Sequence, residues 1–350
     1  MPFVQSPPKD YKVYLITFGN KLDFINKLQS SIININISLR WRNVRSFFLL
    51  VYFLIRISPD IIHVRGFNTF PPVFVLKKFM NFKLILDPRG AYPEEVFLRY
   101  KSLLLFFLIN KLESIYYRTA DLVIFVSDNF KNHIKSKYQS FHYPSAVIPT
   151  FYVDEINDLS KFSIENGVKG SIPLQLVYVG SMDVWQKFSV VIDYCNELEN
   201  MKIPFHLFIV TKDRTEAIKF LKKAIFKNWS IQTLKPTEIS TFLNEMDIAF
   251  VFRDFSIVNE VSSPVKIQEY LYSGLFVILS DKIGDLSEFI KTKNLGYLLN
   301  TCSSEEVKNS LDVYTQIKKQ RNRRESIDIF LSHYNNSIKI ENYLTNLIQL

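Results

Sequence analysis

The chain has 350 residues, 47% of them apolar and 22% charged, enough for two domains with cores of their own. It has nine glycines, and neither G-x-G-x-x-G nor G-x-x-x-x-G-K-[ST] occurs, which sets aside the glycine-rich dinucleotide and P-loop classes. Net charge is +9 but uneven: residues 1–160 hold 20 Lys and Arg against 12 Asp and Glu, residues 161–350 hold 23 against 22. A basic first half implies an acidic partner, be it nucleic acid, an anionic membrane surface or a phosphorylated substrate. Nucleic acid is the poorest fit, because the aromatics sit in apolar runs and are not interleaved with the basic residues as a stacking platform requires.

In chain order, Lys12–Phe18 and the alternating Ile33–Leu39 read as strands. No charged leader with an apolar core opens the chain, so no signal peptide is expected. A helix is predicted over Asn43–Ile57. Its apolar run, Phe47–Ile55, lies between Arg45 and Arg56 and is too short to span a bilayer. With Arg40, Trp41 and Arg42 just before it, this segment suits either the cover of a sheet or a helix lying in an anionic membrane surface. Strands follow at Ile61–Val64, Lys83–Leu86, Leu122–Val126 and Ala146–Ile148, separated by helices at Pro71–Met80, Pro93–Thr119 and Asp128–Tyr138. This alternation predicts a parallel sheet covered on both faces.

Residues 149–171 read as a linker, after which the alternation restarts. Strands are predicted at Leu174–Val179, Phe205–Val210, Ser230–Leu234, Asp247–Phe252, Phe276–Leu279 and Gly296–Leu299, followed by a helical tail from Ser303, whose spacing to Glu306 suits a capping box. The domains expected are 1–160, 161–320 and a helical tail, 321–350. Cys195 and Cys302 stand alone without ligand spacing, pointing to a reducing compartment.

The chemistry concentrates in Val258–Ser280. Ser262, Ser263 and Pro264 signal a helix start, and Gly274 its end. Lys266 in the first turn opposes the helix dipole, unless it shares an anion such as phosphate with the free amides. Glu269, one turn on, is placed to accept sugar or ribose hydroxyls.

The pattern S-P-x-K-x-x-E-Y-x-x-x-G-x-x-V-I resembles the nucleotide-sugar segment of family 4 retaining glycosyltransferases. The resemblance implies α/β architecture of the GT-B type: two Rossmann-like domains facing a central cleft, with a helical C-terminal tail. It implies that Glu269 holds the ribose, while Ser263, Pro264 and Lys266 face the diphosphate. Two departures stand out. Val261 occupies the place of the family's first glutamate, with Glu260 one position out of register, and the first credible strand matches the family's second.

Ligands of open parallel sheets bind beyond the carboxyl ends of the strands, so four loops matter. His63-Val64-Arg65-Gly66 and Asp87-Pro88-Arg89-Gly90, with Glu94 and Glu95 after it, resemble the acceptor-domain loops of a subgroup acting on bacterial surface polysaccharides. Arg89 stands where many members have a histidine, and can neutralise phosphate but not act as a base. Asp87 with Arg89 is alternatively an ion pair holding the loop, and His63 alternatively structural. Gly180 and Lys187 resemble the family's diphosphate loop, with Ser181 standing where arginine is common, although Lys187 also suits a solvated helix start and Trp185 packing between domains. Arg253-Asp254 ends a strand beside the central stretch, placed for donor sugar or phosphate, or as a surface pair.

No D-x-D, H-E-x-x-H, C-x-x-C or G-x-S-x-G occurs, so the expectation is transfer without metal or cofactor, the nucleotide sugar being a co-substrate. The catalytic candidates are Arg89, Asp87 and Lys266. The expected partners are a nucleotide-sugar donor, a glycan or lipid-linked acceptor and an anionic membrane surface, with no nucleic acid. The expected location is cytoplasmic, on the inner face of the membrane. The alternatives are a non-catalytic GT-B scaffold and a nucleotide-sugar epimerase using Glu94 or Glu95.

Overall fold

The computed structural model describes residues 13–18, 32–37, 44–67, 70–139, 144–150 and 173–334. The chain divides into two compact units, residues 1–153 with 336–350, and residues 154–335. Arg40, Trp41, Arg42 and most of the linker lie outside the described residues.

In the first unit, β1 (Val13–Phe18) and β2 (Ile32–Ile37) pair in parallel. Helix α1 (Val44–Ile57) leads to β3 (Ile61–Arg65), α2 (Phe70–Lys77) and β4 (Lys83–Asp87). Helices α3 (Tyr92–Tyr100) and α4 (Leu103–Thr119) precede β5 (Leu122–Phe125), α5 (Asp128–Lys137) and β6 (Ser145–Val147). Strands β3 to β6 form a parallel sheet in chain order, and β4 and β5 are buried along nearly their whole length, as a sheet covered on both faces requires.

The single helix expected over Pro93–Thr119 is two. Lys101 adopts a left-handed conformation (φ +51°) and its N–H closes on the Phe97 carbonyl, ending α3. Ser102 then caps α4, its hydroxyl accepting from the Leu105 N–H at 3.3 Å. The polar stretch 99–102 supplies the serine that caps the second helix, and this outweighs the helical spacing that runs on either side of it.

The second unit runs β7 (Leu174–Val179), α6 (Phe188–Asn200), β8 (Phe205–Val210), α7 (Arg214–Leu221), β9 (Trp229–Gln232), α8 (Pro236–Leu243) and β10 (Ile248–Val251). It continues with the short α9 (Ile257–Glu260), α10 (Val265–Tyr272), β11 (Phe276–Leu279), α11 (Leu286–Thr292), β12 (Gly296–Leu298), α12 (Ser304–Gln320) and α13 (Arg323–Tyr334). Its six strands are all parallel in the order β12-β11-β10-β7-β8-β9. The chain therefore winds outward from β7 through β8 and β9, returns to β10 on the other side, and winds outward again. The crevice beyond the carboxyl ends of β7 and β10 is the switch point at which such sheets bind ligands.

The expected capping box at the tail is half made. Ser303 accepts from the Glu306 N–H at 3.3 Å, but the Glu306 carboxylate accepts from the Asn300 N–H. Helix α13 is tied to the domain by Arg323, which donates to the Ser273 and Leu243 carbonyls at the ends of α10 and α8. Residues 335–350 of the expected helical tail lie outside the described residues.

Candidate active site

The turn after β7 is fixed by its own polar contacts. Tyr178 Oη donates to the Ser181 carbonyl (2.6 Å), Ser181 Oγ to Asp183 Oδ2 (2.6 Å), and the Met182 N–H to Asp213 Oδ2 (2.9 Å). The Val179 N–H donates to Tyr270 Oη (2.9 Å), which locks α10 to the end of β7. A Cβ on Gly180 would collide with Lys266 Nζ and approach Tyr178 Oη to 2.9 Å. Glycine is thus what lets the lysine of α10 reach the β7 turn.

Lys266 donates to the neutral Gln186 Oε1 at 3.3 Å and lies 5.7 Å from the Tyr178 ring centre. Burial, then the charge of nearby Arg253, lower its pKa to about 8, against weaker opposition from Glu269 and Asp183. Arg253 follows β10. It donates from Nη1 to Asn259 Oδ1 (3.2 Å), and its N–H donates to Ser280 Oγ (2.8 Å). Burial lowers its pKa too, and its buried Nε has no hydrogen-bond partner. Among the described residues neither cation forms a salt bridge. Two desolvated like charges at a switch point are costly alone, and an anion bound between them relieves the cost.

Helix α10 starts one residue later than expected. Pro264 is its N-cap and Ser263 does not cap it; the Ser263 hydroxyl instead accepts from Gln268 Nε2 at 3.1 Å. The first amides of α10 therefore have no side-chain cap. Glu269 lies one turn on, half-buried, near enough to raise the Lys266 pKa. Val261 is 0% exposed, a core residue, so no carboxylate occupies the place of the family's first glutamate. Lys187, in a left-handed conformation at the start of α6, pairs with Asp254. Both are about half exposed, so that pair contributes little by itself. Trp185 is 55% exposed.

In the first unit, Arg65 and Asp87 are register partners at the ends of β3 and β4. Asp87, 2% exposed, accepts on one oxygen from Arg89 Nη2 (2.6 Å), with His63 Nε2 3.3 Å from the same atom. Its other oxygen, Oδ1, and the buried Arg89 Nε have no hydrogen-bond partner. The loop-holding ion pair is real, yet leaves one acceptor and one donor unsatisfied. Arg65 is exposed, and its pKa is lowered by partial desolvation and by the charge of Arg89, with Asp87 opposing. Gly90 is overhung by the Glu95 carboxylate.

Glu94 is placed differently from these. It accepts from Lys137 (2.8 Å) and lies 3.3 Å from His133 Nε2, both on α5. Burial acts to raise its pKa, but hydrogen bonds from His133 and Lys137 and the charge of Lys137 bring it to about 2. Lys137 also donates to Glu113 (2.8 Å), which takes the Tyr138 hydroxyl as well (2.7 Å).

Sequence reasoning missed Gln186, Asn259, Tyr178, Tyr270 and Gly284. Gly284 (φ +56°) leaves no room for a Cβ beside the Ser262 carbonyl, and its N–H donates to the Asn259 carbonyl at 3.0 Å, bracing the turn before α10. Only its glycine identity marked it, and loop glycines rarely say what they face.

Residues 7–154 match the family described as Glycosyltransferase Family 4. The fold is GT-B, shared with solved glycosyltransferases. A glycosyltransferase from Rickettsia africae is similar at 15% identity and TM-score 0.65, covering 94% of this chain and 88% of that one. Sucrose-phosphate synthase from Thermosynechococcus elongatus is similar at 13% identity and TM-score 0.67, covering 97% and 90%. An E. coli structure described as trehalose-6-phosphate bound with UDP-2-fluoro glucose is similar at 13% and 0.63, covering 96% and 99%. No curated protein matches the chain. The matched glycosyltransferase domain and this fold support a sugar-transferring enzyme.

Proposed function

We propose that the chain moves a sugar from a nucleotide-sugar donor to a glycan or lipid-linked acceptor, with retention and without a metal, at the inner, anionic face of a membrane. One observation carries the donor half: the half-buried, partly desolvated, like-charged pair of Lys266 and Arg253 at the switch point, beside the uncapped start of α10. These groups would hold the diphosphate and take up charge as it departs, in a site where little water competes. Glu269 would accept ribose or sugar hydroxyls. Retention follows from the family 4 resemblance: the bond from the anomeric carbon to diphosphate oxygen breaks while the acceptor oxygen bonds on the same face. The acceptor proton leaves on the diphosphate, and no protein nucleophile is assigned.

Arg65, Arg89 and the open oxygen of Asp87 would bind the acceptor, the guanidiniums suiting a phosphate and the carboxylate a hydroxyl. The epimerase alternative needs a carboxylate free to exchange protons: Glu94 is held ionised by Lys137 and His133, whereas partial desolvation and the charge of Glu94 raise the pKa of Glu95, which leaves it the one candidate of the two. Calorimetric titration of nucleotide sugars tests the reading. Lys266→Ala and Glu269→Ala should each cost about 1.5–3 kcal/mol of binding with the fold intact, and Lys266→Ala should raise the melting temperature because it removes a desolvated charge. Unchanged affinity in both variants would rule out a donor-binding role for Lys266 and Glu269. Failure of the folded wild type to bind any nucleotide sugar would favour a scaffold.

A further inference from the structure

We propose that helices α1, α2 and α4 of the first unit form one face that lies on an anionic lipid bilayer. The inference rests on the peripheral-membrane part of the preceding reading and gives it a surface. Among the described residues, thirteen of the eighteen exposed large apolar side chains belong to the first unit. Ten of them sit on helices packed side by side: α1 on α2, and α2 on α4, where the Phe70 and Tyr116 rings meet at 3.7 Å between centroids. On α1, Phe48 and Tyr52 are more than half exposed and one turn apart; Phe79, just past α2, is 80% exposed. On α4, Leu104 (72%), Phe107 (67%) and Leu108 (55%) share one side. These are the large apolar groups an interfacial helix inserts below the headgroups.

Charge selects the occupant. Helices α1, α2 and α4 contain five cations, of which Lys77 is paired with Asp121, and one acid, Glu113, which is 2% exposed and engaged by Lys137. Arg99 and Lys101, both exposed, add two more at the bend between α3 and α4, and the whole stretch Val96–Leu112 has no acid. A second copy pairing through this face would set like charges against each other. Anionic headgroups neutralise the cations while the acyl region takes the apolar groups. The bend also stands one nine-residue helix, about 13 Å, from the Asp87–Arg89 loop, so a docked face brings that loop near a lipid-linked acceptor.

The test is flotation of the full chain with phosphatidylglycerol-containing vesicles and with neutral phosphatidylcholine vesicles. Two variants are compared: Leu104→Ser/Phe107→Ser/Leu108→Ser, and Arg99→Ser/Lys101→Ser/Lys111→Ser. Nucleotide-sugar titration and melting temperature report that each remains folded, and sedimentation velocity gives the oligomeric state. Each cation near an anionic surface is worth about fivefold in partitioning, so the charge variant should lose at least about tenfold in binding to anionic vesicles. The apolar variant should lose a similar factor, and salt should release the wild type. If the wild type floats and both variants float equally well, the face is overturned while peripheral association stands. If the wild type floats with neither vesicle, both fall. A wild-type dimer that the apolar variant dissolves would assign the face to a second copy and overturn the proposal.

Discussion

Raising the pH should weaken nucleotide-sugar binding and stabilise the empty protein at the same time, through one residue. The pKa of Lys266 falls from 10.5 to about 8 because burial and Arg253 disfavour its charge. The folded pKa lies below the unfolded one, so folding carries its full penalty below pH 8, about 3 kcal/mol by the size of the shift. The penalty is relieved as pH rises from 8 towards 10.5, because the unfolded chain binds the extra proton in that window. A bound diphosphate acts in the opposite sense and holds the proton on. Free Lys266 is about nine-tenths charged at pH 7 and one-tenth at pH 9, so affinity should fall about tenfold over that range, or ~1.4 kcal/mol. The assay is isothermal titration of an intact nucleotide sugar, whose diphosphate keeps a constant charge between pH 7 and 9. Lys266→Arg is the control: guanidinium stays charged, so the slope should vanish whatever the absolute affinity. A flat wild-type profile, or an equal slope in Lys266→Arg, would refute the argument.

Turnover should survive excess chelator once donor and acceptor are known; loss of activity that magnesium or manganese restores would contradict the metal-free reading. Gly284→Ala should destabilise the second unit by about 1–3 kcal/mol, because the new methyl meets the Ser262 backbone carbonyl, and should weaken nucleotide-sugar binding as the turn before α10 shifts; chemical denaturation and titration read the two effects. Lys137→Met should cost about 3–5 kcal/mol by leaving the buried Glu113 without its cation, with part recovered at low pH as Glu113 protonates. Arg40, Arg42 and Arg45 changed to Ser should reduce flotation with anionic vesicles, since Arg45 is exposed at the start of α1.

What the sequence determined by itself is what short-range physics encodes. Period-two and short apolar runs located β7, β8 and β11 to the residue, because a buried strand needs little beyond its own side chains. A serine–proline start and a glycine stop placed α10, and with it Lys266 and Glu269 one turn apart. The tertiary structure decided the rest. The bend at Lys101 and Ser102 interrupts what helical spacing alone reads as one helix, and that spacing carried no hint that its outer side would be left uncovered. Gln186 and Tyr270 came to the site through long-range pairing, Gln186 meeting Lys266 across 80 positions and Tyr270 meeting Val179 across 91. Glu94, beside the D-P-R-G loop in sequence, was drawn to α5 by Lys137. The order β7 beside β10 turned two separate loops into one switch point. Proximity across a sheet depends on strand order and on which buried charges find partners, and neither quantity is a property of a local stretch of chain.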